Sequence, residues 1–176
     1  HDLLDHLEAS LCVDRQRVYA TGKSNGAGFT GVLACRAADR IAAIAPVAGA
    51  FYGTGEPPCE PARAVPVIEF HGTADATIPY LGDTDRGLPA IPDWVSAWTK
   101  RDHCRVRLHD TVIDPDVTVS RWVACARGTS VTHVAVTGGP VDRVAQRPRG
   151  GGVEEVVRVG PVQADDPDAV GDGRQH

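Results

Sequence analysis

Gly22-Lys23-Ser24-Asn25-Gly26 sets a serine between two glycines at the point where the local sequence pattern changes character. Upstream, Arg17 to Thr21 is short, β-branched and aromatic and reads as a strand. Downstream, from Asn25 to about Ala38, the residues are small and apolar with no proline, which suits a buried helix packed closely on a sheet. In that setting G-x-S-x-G marks a sharp strand-to-helix turn that projects the serine hydroxyl above a sheet. Such a turn tolerates only small neighbours, which would account for both glycines. The backbone N–H of Asn25 falls at the N-terminus of the helix, where it can stabilise the oxyanion of an acyl-transfer intermediate. An isolated match of this kind is as readily an ordinary serine in a glycine turn. The strand before it and the helix after it favour a nucleophile at Ser24. Lys23 reads as a solvated residue of the turn whose positive charge is also placed to bias substrate choice.

Other segments fill in the pattern. Leu3, Leu4, Leu7 and Leu11 recur at helical spacing, so a helix is expected from Asp2 to Ser10. Ile41 to Val47 and Val65 to Phe70 read as buried strands, separated by a glycine- and proline-rich loop from Gly53 to Ala64. Pro92 pre-sets a helix start, and Trp94, Ala97, Trp98 and Arg101 lie on one face of the helix it opens. Thr118 to Val123 and Val131 to Thr137 are further strands. Strands alternating with helices imply an α/β fold with a mostly parallel sheet, flanking helices and right-handed crossovers.

In an α/β-hydrolase the chain order is serine, then acid, then histidine, the acid lying on a loop after a later strand. Asp75 fits, because it follows Val65 to Phe70 by a few residues in a turn closed by Pro79. Its role would be to accept the Nδ1–H of the catalytic histidine and hold the productive tautomer. An Asp in such a turn can also serve the turn alone. His71 reads as a structural histidine at a strand end, and so does His133 inside its strand. His103 and His109 precede the loop where a general base is expected, and no catalytic histidine is identified.

At 176 residues, 42% hydrophobic and 23% charged, the chain is long enough for one core. A net charge of −5 without any Lys/Arg-rich block argues against a nucleic-acid partner. The longest apolar stretch, Ile41 to Phe51, is too short to cross a bilayer, so no membrane partner is expected. Cys12, Cys35, Cys59, Cys104 and Cys125 show no zinc-ligand spacing, which points to disulfides rather than a metal and to an oxidising compartment. Their odd number leaves at least one thiol unpaired, or parted from its partner.

The stretch from Cys12 through Ser24 to Phe29, with Leu33-Ala34-Cys35 and Ile41 to Gly49, resembles secreted feruloyl esterases and their polyhydroxybutyrate depolymerase relatives. So do Phe70-His71-Gly72-Thr73-Ala74-Asp75 with Ile78-Pro79-Tyr80, and Ile91-Pro92-Asp93-Trp94 through Trp98 to Arg101-Asp102. The resemblance covers about residues 2 to 137. It implies an extracellular serine carboxylic ester hydrolase that needs no metal or cofactor, releasing ferulate from plant cell-wall polysaccharide through an acyl-enzyme at Ser24. It also implies a Cys104–Cys125 disulfide, while the partners of Cys12, Cys35 and Cys59 stay open. The alternatives are a polyhydroxyalkanoate depolymerase-like esterase acting on polyester, and a catalytically incomplete or non-catalytic carbohydrate-binding relative.

Two departures from the family accompany it. The His-Gly-rich loop that supplies a second oxyanion donor is absent, and with His1 opening the chain the N-terminus reads as cut. The Gly-Gly-His-x-Trp-Pro motif that carries the catalytic histidine is replaced after Val131 to Thr137 by Gly138-Gly139-Pro140-Val141-Asp142. Residues 138–176 are rich in glycine, proline and charge, have no aromatic residue and contain one histidine, His176. The expectation is therefore a partial catalytic domain over 1–137 and an atypical, disordered or non-native tail, most simply from a reading-frame error.

Overall fold

The computed structural model describes residues 2–53 and 58–139. The chain order is α1 (Asp2–Ser10), β1 (Tyr19–Lys23), α2 (Asn25–Arg36), β2 (Ala43–Val47), β3 (Val67–Gly72) and α3 (Ile91–Arg101). Next come β4 (Val106–Arg107), β5 (Thr111–Asp114), β6 (Val117–Val123) and β7 (Val131–Val136). One sheet holds all seven strands in the order β1-β2-β3-β7-β6-β4, with β5 also paired to β6. None of these helices is long and apolar enough to cross a membrane.

The fold is α/β, but the sheet is mixed rather than mostly parallel. β1, β2, β3 and β7 run parallel, whereas β6 is antiparallel to β7, β5 and β4. The reason is connection length. A parallel return needs a dozen or more residues, and the link from Val123 to Val131 is too short for one. β4 and β5 escape a reading of the sequence because Arg105, Arg107, His109 and Asp110 interrupt any apolar run there.

α2 lies close to the sheet because the face it buries is small: Ala27, Thr30, Gly31 and Ala34. α3 has Pro92 in its first turn and buries Ile91, Val95 and Trp98, which are spaced for one face. Trp98 and Ile91 join Ile44, Phe51, Val65, Val67 and Val131 in the main core. α1 is held more by charge than by apolar burial: Arg40, between α2 and β2, donates to Asp5 and Glu8 at 2.8 Å each.

Two disulfides brace the chain. Cys104–Cys125 ties the end of α3 to the end of β6, and Cys35–Cys59 ties the end of α2 to the loop before β3. Cys12 is exposed and unpaired. The loops closed are each a little over 20 residues, so each bridge is worth about 3 kcal/mol in the chain-entropy account. The expected atypical tail lies outside the described residues from 140 onward.

Asp102 caps α3 and is fully buried, its Oδ1 accepting from the Val65 amide at 3.1 Å. Burial pushes its carboxyl up to about 6 from 3.8, against the opposing pull of the Val65 amide and neighbouring groups. The folded state therefore keeps a proton that the unfolded chain releases near 3.8. Stability should fall as pH rises from 3.8 to about 6 and level off above that range. Chemical denaturation across this range should show the slope in the parent chain and its loss in Asp102→Asn.

Candidate active site

β1 ends at Lys23 and α2 begins at Asn25, so Ser24 alone makes the joint. It does so at φ 56° and ψ −122°, a conformation that a residue with a Cβ rarely adopts. Three backbone bonds hold it there. Ser24 N–H donates to Val47 O at 3.0 Å, and its carbonyl accepts from Gly28 and Ala50 at 3.1 Å each. A Cβ on Gly22 would lie 2.5 Å from the Gly26 backbone, and one on Gly28 would lie 2.1 Å from Ala50 O. A Cβ on Gly26 would meet nothing within 4 Å. Crowding therefore explains Gly22 but not Gly26, contrary to the expectation for both, and Gly28 takes the second sterically demanding place.

The Ser24 side chain is half-buried and makes no capping bond to α2. The amide of Asn25 belongs to the first turn of that helix, whose N–H groups have no intrahelical acceptor. Together they set a hydroxyl beside a positive helix end.

Asp75 lies just beyond the carboxyl end of β3 and is half-buried. Its Oδ1 accepts from Thr77 N–H at 2.8 Å and Ile78 N–H at 3.0 Å, and its own N–H donates to Gly72 O. Asp75 thus does shape its turn. The same bonds fix the carboxylate's rotamer and engage only one of its two oxygens.

Beneath this turn is a buried polar network that no motif in the sequence announces. Glu69 and His71, two apart on β3, share a face. Glu69 Oε1 lies 3.0 Å from His71 Nδ1, and Oε2 lies 2.7 Å from His133 Nδ1 on β7. His71 Nε2–H donates to Ile78 O at 2.9 Å, and His133 Nε2 lies 2.9 Å from the Tyr80 hydroxyl. Burial opposes the charge on His71. The bonds to Glu69 and Ile78, with the charges of Glu69 and Asp75, outweigh it and raise the imidazole above its ordinary value. Burial, then the Glu69 charge, push Tyr80 up as well. The one clue in the sequence is a glutamate inside the apolar run Val65 to Phe70.

Ser24 and Asp75 stand at the same carboxyl edge of the parallel strands, the usual location of ligands in α/β sheets, with β2 between their strands. β7 runs parallel to β3 and ends at that edge, where Thr73 N–H donates to Val136 O at 2.8 Å. No described histidine bonds to either residue. His71 and His133 use both ring nitrogens in the Glu69 network, as their structural reading requires. His103 follows α3 at the opposite edge, where Ala126 N–H, ahead of β7, donates to Asp102 O. His109 is exposed between β4 and β5, and His176 lies outside the described residues. Beside the joint, α2 and α3 enclose a cleft of about 260 Å³ lined by Gly28, Gly31, Phe51, Tyr52, Trp94 and Arg101. The helix face that the sequence marked on α3 thus turns toward this cleft, with Phe51 and Trp94 stacked at 3.8 Å.

The chain matches no protein-family profile. It is 28% identical over 149 residues to feruloyl esterase B of Piromyces equi, which covers 78% of this chain and 27% of that protein. It is 26% identical over 143 residues to a bifunctional acetylxylan esterase/xylanase of Neocallimastix patriciarum, covering 77% of this chain and 19% of that one. A probable feruloyl esterase C of Aspergillus clavatus is 30% identical over 80 residues, 46% of this chain and 28% of its own length. The chain therefore spans about a quarter of the length of these relatives. Among solved structures, the acetyl xylan esterase from Aspergillus awamori shares the fold at a TM-score of 0.55 and 14% identity, covering 79% of this chain and 60% of that one.

The strain at Ser24 allows a test independent of any activity. Glycine adopts φ 56° without penalty, whereas alanine keeps the strain. Ser24→Gly should be more stable than Ser24→Ala by about 1 kcal/mol in denaturant titrations, the reverse of their usual order inside regular elements.

Proposed function

We propose that this chain carries the nucleophile and the acid of a secreted serine esterase of the α/β-hydrolase type, acting on ester groups of plant cell-wall polysaccharide, with feruloyl esters as its preferred class. The observation that carries the reading is the one-residue joint at Ser24, strained to φ 56° beneath the N-terminus of α2. The esterase names shared by the relatives support the chemistry. The two disulfides support an extracellular location. A polyester substrate, the other branch of the resemblance, has no observation in its favour.

In this mechanism Ser24 Oγ attacks the ester carbonyl carbon, and the Asn25 amide stabilises the negative oxygen as the tetrahedral intermediate forms. The Ser24 proton passes to the general base, the C–O bond to the sugar breaks as that group returns the proton to the departing sugar oxygen, and water then cleaves the acyl-enzyme to free the acid and regenerate the Ser24 hydroxyl. Asp75, through the carboxylate oxygen not used in its turn, orients the histidine that moves these protons. No described histidine bonds to Ser24 or Asp75, and His176 lies outside the described residues; the 176-residue chain by itself is expected to hydrolyse methyl ferulate at close to the background rate. In a longer form that is active, Ser24→Ala should lower kcat/KM on the order of 10⁵-fold or more, and Asp75→Asn on the order of 10⁴-fold, with circular dichroism unchanged. Near-normal turnover by Ser24→Ala would refute the assignment, and robust hydrolysis by the 176-residue chain would mean that one of its own histidines is the base.

A further inference from the structure

We propose that Glu69 is a positioning residue for Asp75, acting through His71 on the backbone of Ile78. The inference rests on the reading of Asp75 as the catalytic acid. Its basis is a continuous chain of bonds. Ile78 is held at both of its backbone groups, on either side of its Cα: its N–H by Asp75 Oδ1 at 3.0 Å, its carbonyl by His71 Nε2 at 2.9 Å. A carbonyl can only accept, so Nε2 carries a proton. Nδ1 faces Glu69 Oε1, and with Glu69 a carboxylate, which accepts only, His71 satisfies both contacts as an imidazolium, in line with the raised value of its ring. Glu69 supplies the compensating charge, and its second oxygen accepts from His133 Nδ1–H. His133 Nε2 is then free of hydrogen and accepts from the Tyr80 hydroxyl. One negative and one positive charge remain, fully buried on β3.

Stability alone does not call for this arrangement. Burying an ion pair costs desolvation that apolar side chains of similar size avoid, so such pairs rarely outdo a hydrophobic replacement. An apolar pair on β3 would fill the space but could not hold a carbonyl at a set direction. The network does that at Ile78, and it meets the other end of the same turn at Tyr80, whose carbonyl accepts from Ile91 N–H at 2.9 Å. The turn's start is fixed separately by the bond from Thr73 to β7. Glu69 thus sets the middle of a segment whose ends are already tied, and the middle is where the Asp75 carboxylate is aimed.

The test uses the 176-residue chain with nitrogen-15 histidine and needs no turnover. NMR at neutral pH should show both ring nitrogens of His71 protonated, and only Nδ1 of His133. In Glu69→Gln, His71 should become a neutral ring. Amide hydrogen exchange at Thr77 and Ile78 should then speed up roughly tenfold or more, while Gly28 and the β1–β2 ladder keep their protection. Should Glu69→Gln fail to fold, His71→Gln and His71→Leu decide the matter. Gln keeps an N–H donor for Ile78 O and should retain protection, whereas Leu should lose it at Thr77 and Ile78 only. A neutral His71 in the parent chain, unchanged exchange in His71→Leu, or loss spread evenly over the sheet would each overturn the proposal. In an active longer form, Glu69→Gln should lower kcat with little change in KM. Absence of esterase activity in every form, with the exchange result intact, would instead count against the proposed function.

Discussion

Ser24 adopts its strained backbone because β1 and α2 meet with a single residue between them, and the surrounding packing depends on that joint. A helix that starts so abruptly must lie almost on the sheet. The approach is possible because Gly22 leaves room for the Gly26 backbone and Gly28 for the Ala50 carbonyl. It continues down the helix through Ala27, Gly31 and Ala34. The strain, on the order of 1–3 kcal/mol, persists because bonds from Val47, Gly28 and Ala50 determine the position from three sides. Those bonds also fix the chain leaving β2, so the joint organises the neighbours of Ser24 as well as Ser24 itself.

A different logic governs the far side of the site. Around Asp75 the precision comes from polar groups rather than close packing: an Asx turn above and the Glu69, His71, His133 and Tyr80 network below. Asp102 is a contrast within the same molecule. It too is a fully buried carboxyl, but no histidine bonds to it among the described residues, and burial raises it against the pull of the Val65 amide and the groups around it. Pairing, not burial, separates a carboxyl bonded to two histidines from one that favours its proton.

The parts of the fold legible in the sequence are those with local causes. α1 spans the residues that its leucine spacing marks, and Pro92 sits in the first turn of α3. β1 runs two residues later than expected, through Gly22 and Lys23, because pairing with Pro46 and Val47 extends it where propensity alone would stop. Long-range effects are not legible. The Cys35–Cys59 bridge depends on tertiary proximity. So does the Glu69 network, whose second histidine is 64 residues away. The Cys104–Cys125 bridge, implied by resemblance, is present. Of the candidate site, Ser24 and Asp75 stand at one edge of the sheet as their places after β1 and β3 require. The structural roles of His71 and His133 are established by the partners of both ring nitrogens, which no local pattern encodes.

The order β1-β2-β3-β7 also works as a ruler. Neighbouring strands lie about 5 Å apart, so the strand that carries the serine and the strand that carries the acid are roughly 10 Å from each other, and β7 is one step farther out. No side-chain chemistry alters those intervals, because backbone hydrogen bonding sets them. In the proposed mechanism, a group that relays a proton between Ser24 and Asp75 must therefore reach back across β3 toward β2 if it is delivered from the end of β7. Such a span is longer than a single turn provides, so in that mechanism the reach and stiffness of the segment that delivers the group would tune the rate even with every side chain of the site unchanged.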